Sequence, residues 1–212
     1  MPRVIVPAGL TMGPRYRYVR PPDPIPECYE IHLGDDLVEL TETEAAVWAA
    51  AFHNAERHAK LEVNRESLIR FLETAPKPEP KATTLVDSLI ARGLLVEFDT
   101  EGNLEPVFSR HKLFPSGQGL GSTAEEPHLH RVGLANQPIL TLPNDVYMLW
   151  SFSSLHSNLW EACTYYVDDS EHVAEGGEPL GLTPQMLANE IAQHLPLLVA
   201  TGCGYLDQLV QA

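Results

Sequence analysis

The sequence predicts an α+β chain of two similar units, each a small antiparallel sheet followed by three helices and a short return strand. Three observations predict it. A Leu-to-Trp segment occurs twice, as LTETEAAVW at 40–48 and LPNDVYMLW at 142–150. Each copy follows two strand-like runs around a polar turn, and each is followed in turn by apolar helical stretches that end on a glycine. The 212 residues, 44% apolar and 20% charged, suit one large or two small globular domains. The division read from the sequence is a basic Pro/Gly-containing arm at 1–14, a first unit at 15–104 and a second, acidic unit at 105–212.

In the first unit Arg15–Pro21 is a candidate strand, and 29–40 reads as two strands about Gly34-Asp35-Asp36. Helices are expected near 41–59, 64–74 and 82–92. Asn64 is a good N-cap, Leu68 and Leu72 form an i, i+4 apolar stripe, and Gly93 suits the left-handed position after a helix. A return strand is expected at 94–98. The second unit repeats this with strands near 110–114, 130–134 and 138–141, the last two turning at Ala135-Asn136-Gln137. Helices follow near 143–166, 183–193 and 195–201, with Thr183 as N-cap and Pro184 at the first helical position, then a strand at 203–207. An acidic, glycine-containing stretch, Val167–Gly181, departs from the first copy, and Asp168–Glu178 within it reads as a solvated loop. Trp48 and Trp150 anchor the two cores. Trp160, with Tyr147 and Phe152, suits the core, an interface between the units or an interface with another chain.

Charge is segregated along the chain. The net charge is −15, yet the first 22 residues hold Arg3, Arg15, Arg17 and Arg20 and no acid. From Val132 to Ala212 there are nine acids and no lysine or arginine. Such a balance argues against DNA or an anionic membrane as the default partner. No apolar run is long enough to span a bilayer or to form a secretory signal. Cys28, Cys163 and Cys203 are odd in number and scattered, which suits a reducing cytoplasm rather than a disulfide framework.

Helices whose last ends in Ala-Arg-Gly-Leu-Leu-Val-Glu before a strand resemble a winged helix-turn-helix. With strands ahead of the helices, the first unit also resembles the PqqD-like family, the leader-peptide recognition elements of modified-peptide biosynthesis. That resemblance rests on VELTETEAAVW (38–48) and LVDSLIARGLLV (85–96); it covers 15–98 well and 110–207 loosely. It implies a bacterial protein in which a peptide adds a strand beside the third β-strand and packs on the third helix, by β-augmentation. Carried onto this chain, the strand is Leu37, Val38, Glu39 and Leu40, and the helix is Thr83–Arg92, with Leu85, Leu89 and Arg92 bordering the peptide. Leu85 and Leu89 also read as ordinary core.

The first expectation is thus a non-catalytic tandem module that binds a peptide or protein, with no cofactor. A second is a transcriptional regulator touching DNA through Arg15, Arg17, Arg20, Lys81 and Arg92. A third is an acidic scaffold subunit of a larger complex. DNA stands low because Ala82–Arg92 offers only Arg92, with Lys81 before it, and Leu195–Thr201 offers no base at all. Other chemistry is thinly represented. Glu126, His128 and His130 alternate, as metal ligands on one strand face would, but no cysteine pair or HExxH motif accompanies them. Ser116–Thr123 lacks the Lys-Ser/Thr of a phosphate loop and reads as a flexible connection. Cys203 with His194 lacks the further groups of a nucleophilic site.

Overall fold

The β-branched run Val4-Ile5-Val6 opens the chain as a strand, and all three side chains are fully buried. The structure, a computed structural model, describes residues 3–173 and 181–209. Its first half runs β1 (Arg3–Pro7), β2 (Leu10–Arg15), β3 (Cys28–Leu33), β4 (Asp36–Leu40), α1 (Glu42–Ala50), α2 (Ala55–Ala59), α3 (Arg65–Thr74), α4 (Ala82–Ala91) and β5 (Leu95–Asp99). After the short α5 (Glu105–Phe108), the second half runs β6 (His111–Pro115), β7 (Gln118–Gly121), β8 (Leu129–Leu134), β9 (Gln137–Pro143) and α6 (Asn144–Phe152). A 3-10 turn (Ser153–Leu155), α7 (Leu159–Val173), α8 (Pro184–Ala200) and β10 (Gly204–Gln208) complete it.

The chain is therefore mixed α+β with small antiparallel sheets, and its two halves share one pairing scheme. In each, three successive strands form a meander, β2-β3-β4 and β7-β8-β9, while the strand before the meander pairs with the strand after the last helix, β1 with β5 and β6 with β10. The likeness extends to irregularities. Each meander shifts register in its first strand, and a left-handed glycine marks the place: Gly13 at φ +85° and Gly121 at φ +72°. Trp48 and Trp150 occupy the same helix in each half. The indole N–H of Trp48 donates to Ala8 O at 3.1 Å, and that of Trp150 to Cys203 O at 2.8 Å.

The halves share one apolar core. A parallel bridge, Ala8 to Leu206, joins the β1–β5 pair to the β6–β10 pair. The Gly9 N–H donates to Leu206 O at 2.7 Å, and α2 packs against α8. Gly9 is required at this joint: its φ is +87°, and a Cβ there would collide with Ile31 and the His32 carbonyl.

Several expectations are corrected. The arm expected at 1–14 is, over its described residues, β1 and most of β2, because Val4–Val6 has a partner in β5. The strand expected at Arg15–Pro21 retains only Arg15, at the end of β2; Tyr16–Glu27 forms a long connection. The helix expected at 41–59 divides into α1 and α2 at Asn54, whose left-handed backbone and side chain cap α2. The helix expected at 143–166 divides at Ser153–Asn158. There the Glu161 N–H donates to Asn158 Oδ1 and the Ser157 N–H to Glu161 Oε2, starting α7 afresh. Conversely, 183–193 and 195–201 are one helix, α8. Pro196 removes a ladder bond, but burial of Ile191, Leu195, Leu198 and Val199 holds the helix through it. Gln118–Gly121, expected as flexible connection, is β7. The acidic stretch at Val167–Gly181 begins inside α7, and its residues 174–180 lie outside the described residues. Among the described residues, no helix is long and apolar enough to cross a membrane.

Candidate functional site

β4 lies at the end of its sheet, and among the described residues no strand pairs with its outer edge. The pleat sorts its side chains by parity. Leu37 stands in one cross-strand row with Leu10 and His32, all solvent-exposed, while Val38 and Leu40 turn inward. Leu37 is 55% exposed and Leu40 1%, so the expected strand residues divide between surface and core.

The helix side divides in the same way. Leu89 is fully buried and Leu85 is half-buried against the core, whereas Arg92 reaches the edge of β4. Its guanidinium donates to Glu39 O at 3.0 Å and pairs with Glu44 at 2.7 Å. Glu44 is itself fixed by the capping box of α1, accepting from the Thr41 N–H and hydroxyl. Burial pushes the Glu44 carboxyl up, but the Thr41 bonds and the Arg92 charge outweigh it, so it titrates below the ordinary range.

The other wall comes from the far end of the chain, which sequence reasoning did not connect to β4. Asp207 of β10 accepts the Gly34 N–H at 2.7 Å, in the turn between β3 and β4. Gln208 lies where a Cβ on Gly93 would stand, so glycine there both ends α4 at φ +75° and admits the second unit. Between these pieces is a groove of 360 Å³ lined by Leu33, Gly34, Asp36 and Val38 on one side and by Arg92, Gln208 and Leu209 on the other. Its size is that of a small ligand pocket. A larger cleft of 540 Å³ lies beside α3 and β5, but its Arg3, Arg65, Glu66 and Glu97 mix both signs, and Arg65 is paired with Asp87.

The arginines expected to meet DNA are mostly engaged by acids. Arg15 contacts Glu30 and Glu39 at 2.8 Å each and Glu27 at 3.7 Å; Arg17 meets Glu27 at 3.5 Å. Arg92 is held as described. Arg20 and Lys81 are exposed, the first in the β2–β3 connection and the second at the start of α4. Arg15 and Arg92 both converge on Glu39, and Arg15 and Arg17 on Glu27, so the charge of these three is already answered by acids.

Among the described residues, the one group of three side chains close enough to share a metal is Cys28, Glu30 and Glu39, and the Arg15 guanidinium already contacts both carboxylates. The Glu126, His128 and His130 constellation is not assembled. Only His130 lies in a strand, stacked on Tyr147 at 4.3 Å with Asn144 Oδ1 3.2 Å from its Nε2. The cysteines are free and buried; burial pushes Cys163 up to about 12 and raises Cys203 and Cys28 as well. His194 is tied to Glu190 O within its own helix.

Compared with protein-family models, curated proteins and solved structures, the chain has no match.

Proposed function

We propose that the chain is a peptide- or protein-binding module, not an enzyme, that takes an extended segment along the outer edge of β4. The observation that carries this reading is an edge strand free of proline beside a groove built by both halves. Backbone pairing to β4 would supply affinity, and the groove would select a side chain between Val38 and Leu209. In the winged-helix and PqqD-like terms of the sequence, β4 is the recognition strand and α4 the flanking helix. The strand after α4 stands where a wing would begin, although here it pairs with β1. The sharpest form of the proposal is presentation of a precursor peptide to a modifying enzyme.

The test is selection of peptides from a displayed random library against the full chain, followed by calorimetry on the winners. Leu37→Pro removes an outward-facing amide of the strand, since Arg92 donating to Glu39 O places the backbone of Leu37 and Glu39 on the outer edge, and Leu209→Trp fills the groove from the opposite wall. Both variants should lose binding at least about tenfold while Arg17→Ala and Arg20→Ala keep it. Winners indifferent to both changes in folded protein would refute the proposal.

A further inference from the structure

We infer that the second half carries a separate pocket, between α6 and α7, for a cationic side chain of a basic protein segment. The cavity holds 180 Å³ and has aromatic walls: Phe152, His156, Tyr165 and Tyr166, with Leu149 and Asp169 also lining it. It shares no lining residue with the groove at β4, so it stands independently of that reading.

The walls are exposed where packing alone would bury them. Phe152 is 51% exposed, Tyr165 57% and the adjoining Leu155 77%, although α6 and α7 both contribute to the core. Two of the rings are held in place. The Tyr166 hydroxyl donates to Asp145 Oδ1 at 2.8 Å, and Tyr165 packs at 4.8 Å against His156. Ring faces carry negative potential, so a small cavity lined by four aromatic side chains offers a cation sites to dock, and the Asp169 carboxylate adds a formal charge.

Charge complementarity decides the occupant. From Val132 onward the chain has nine acids and no lysine or arginine, so neither residue type in α6, α7 or α8 can fill the cavity, and His156 stands in its wall. Lys112 of β6 lies instead over Phe114, 5.8 Å from the ring centre. An acidic segment would be repelled by Asp169, and a purely apolar one would gain nothing from that exposed carboxylate. A lysine, methylated lysine or arginine from a basic segment satisfies both the rings and the acid.

The test is an NMR titration of the isotope-labelled full chain with four probes: the N-acetyl amides of trimethyllysine, lysine, arginine and norleucine. Saturable shifts centred on Phe152, His156, Tyr165 and Asp169 are expected for at least one cationic probe, with norleucine at least about tenfold weaker. The best-binding arm identifies the partner's residue. Tyr165→Ala and Asp169→Asn, both at the surface, should each weaken that probe about five- to tenfold with the remaining spectrum unchanged. An equal response to norleucine, no saturable response to any cation, shifts centred on β4, or unchanged affinity in both folded variants would overturn the inference.

Discussion

The two meanders end on edge strands of different chemistry. β4 reads DLVEL, and every residue in it carries a backbone donor; β9 reads QPILTLP, and Pro138 and Pro143 remove donors at both of its ends. Proline is a common way to blunt an exposed edge, so β9 is protected against pairing and β4 is not. The flanks differ too. β4 faces Arg92 and the end of β10, which leave a groove. In the second half Tyr147 instead lies over the sheet, stacked on His130 of β8 and close to Gly119 of β7. One scaffold used twice thus leaves one strand open and the other closed. The aromatic pocket between α6 and α7 has the reverse distribution, since it belongs to the second half alone.

The largest expected effects test whether the halves are equivalent where they look alike. Trp48→Ala and Trp150→Ala each empty a core position and orphan a carbonyl, and each should cost about 3–5 kcal/mol in chemical denaturation. Gly9→Ala strikes the joint between halves and should cost about 2–4 kcal/mol through collision and left-handed strain. Gly13→Ala and Gly121→Ala occupy matching bulges with open space around them, so each should cost only about 1 kcal/mol. A large difference between those two would break the equivalence.

Acid sharpens the comparison further. Burial holds His58 in the first half and His111 in the second below the ordinary imidazole range. His111 gains part of this back from Val107 O at 2.7 Å. Ala51 does the same for His58 without reaching its ring nitrogens in good hydrogen-bond geometry. Because both folded values are depressed, the stabilisation is fully present above the unfolded value near 6.5 and is lost as pH falls through the folded values. Urea midpoints should therefore fall from about pH 7.5 to about pH 5. His58→Leu should flatten that fall at little cost at neutral pH, whereas His111→Leu should also lose the bond to Val107. The smallest effect is expected for Leu37→Ser on the exposed row, within about 0.5 kcal/mol by thermal melting.

Local chemistry made much of this legible in the sequence. Asn64 and Thr183 as caps, Gly93 as a helix stop and the Ala135-Asn136 turn all lie where their residue types place them. Long-range pairing was not legible. The arginine of Arg3–Pro7 points to an arm, although its Val-Ile-Val run ending in proline parallels His111–Pro115; that likeness is the available signal for β1. The Asn158-to-Glu161 cap likewise lies in view within the single helix expected at 143–166. The groove was illegible because half of it comes from Gln208 and Leu209, far from β4 in sequence. Conversely, Leu40 and Leu89 are singled out by the family resemblance, whose apolar motifs mark core as readily as binding surface, and both are core.

The most direct test of the account is amide hydrogen exchange across β4 with a library-selected peptide bound to the full chain. New protection is expected at outward-facing amides within Asp36–Leu40 and none within Gln137–Pro143. Protection confined to other elements, with β4 exchanging as in the free chain, would contradict it.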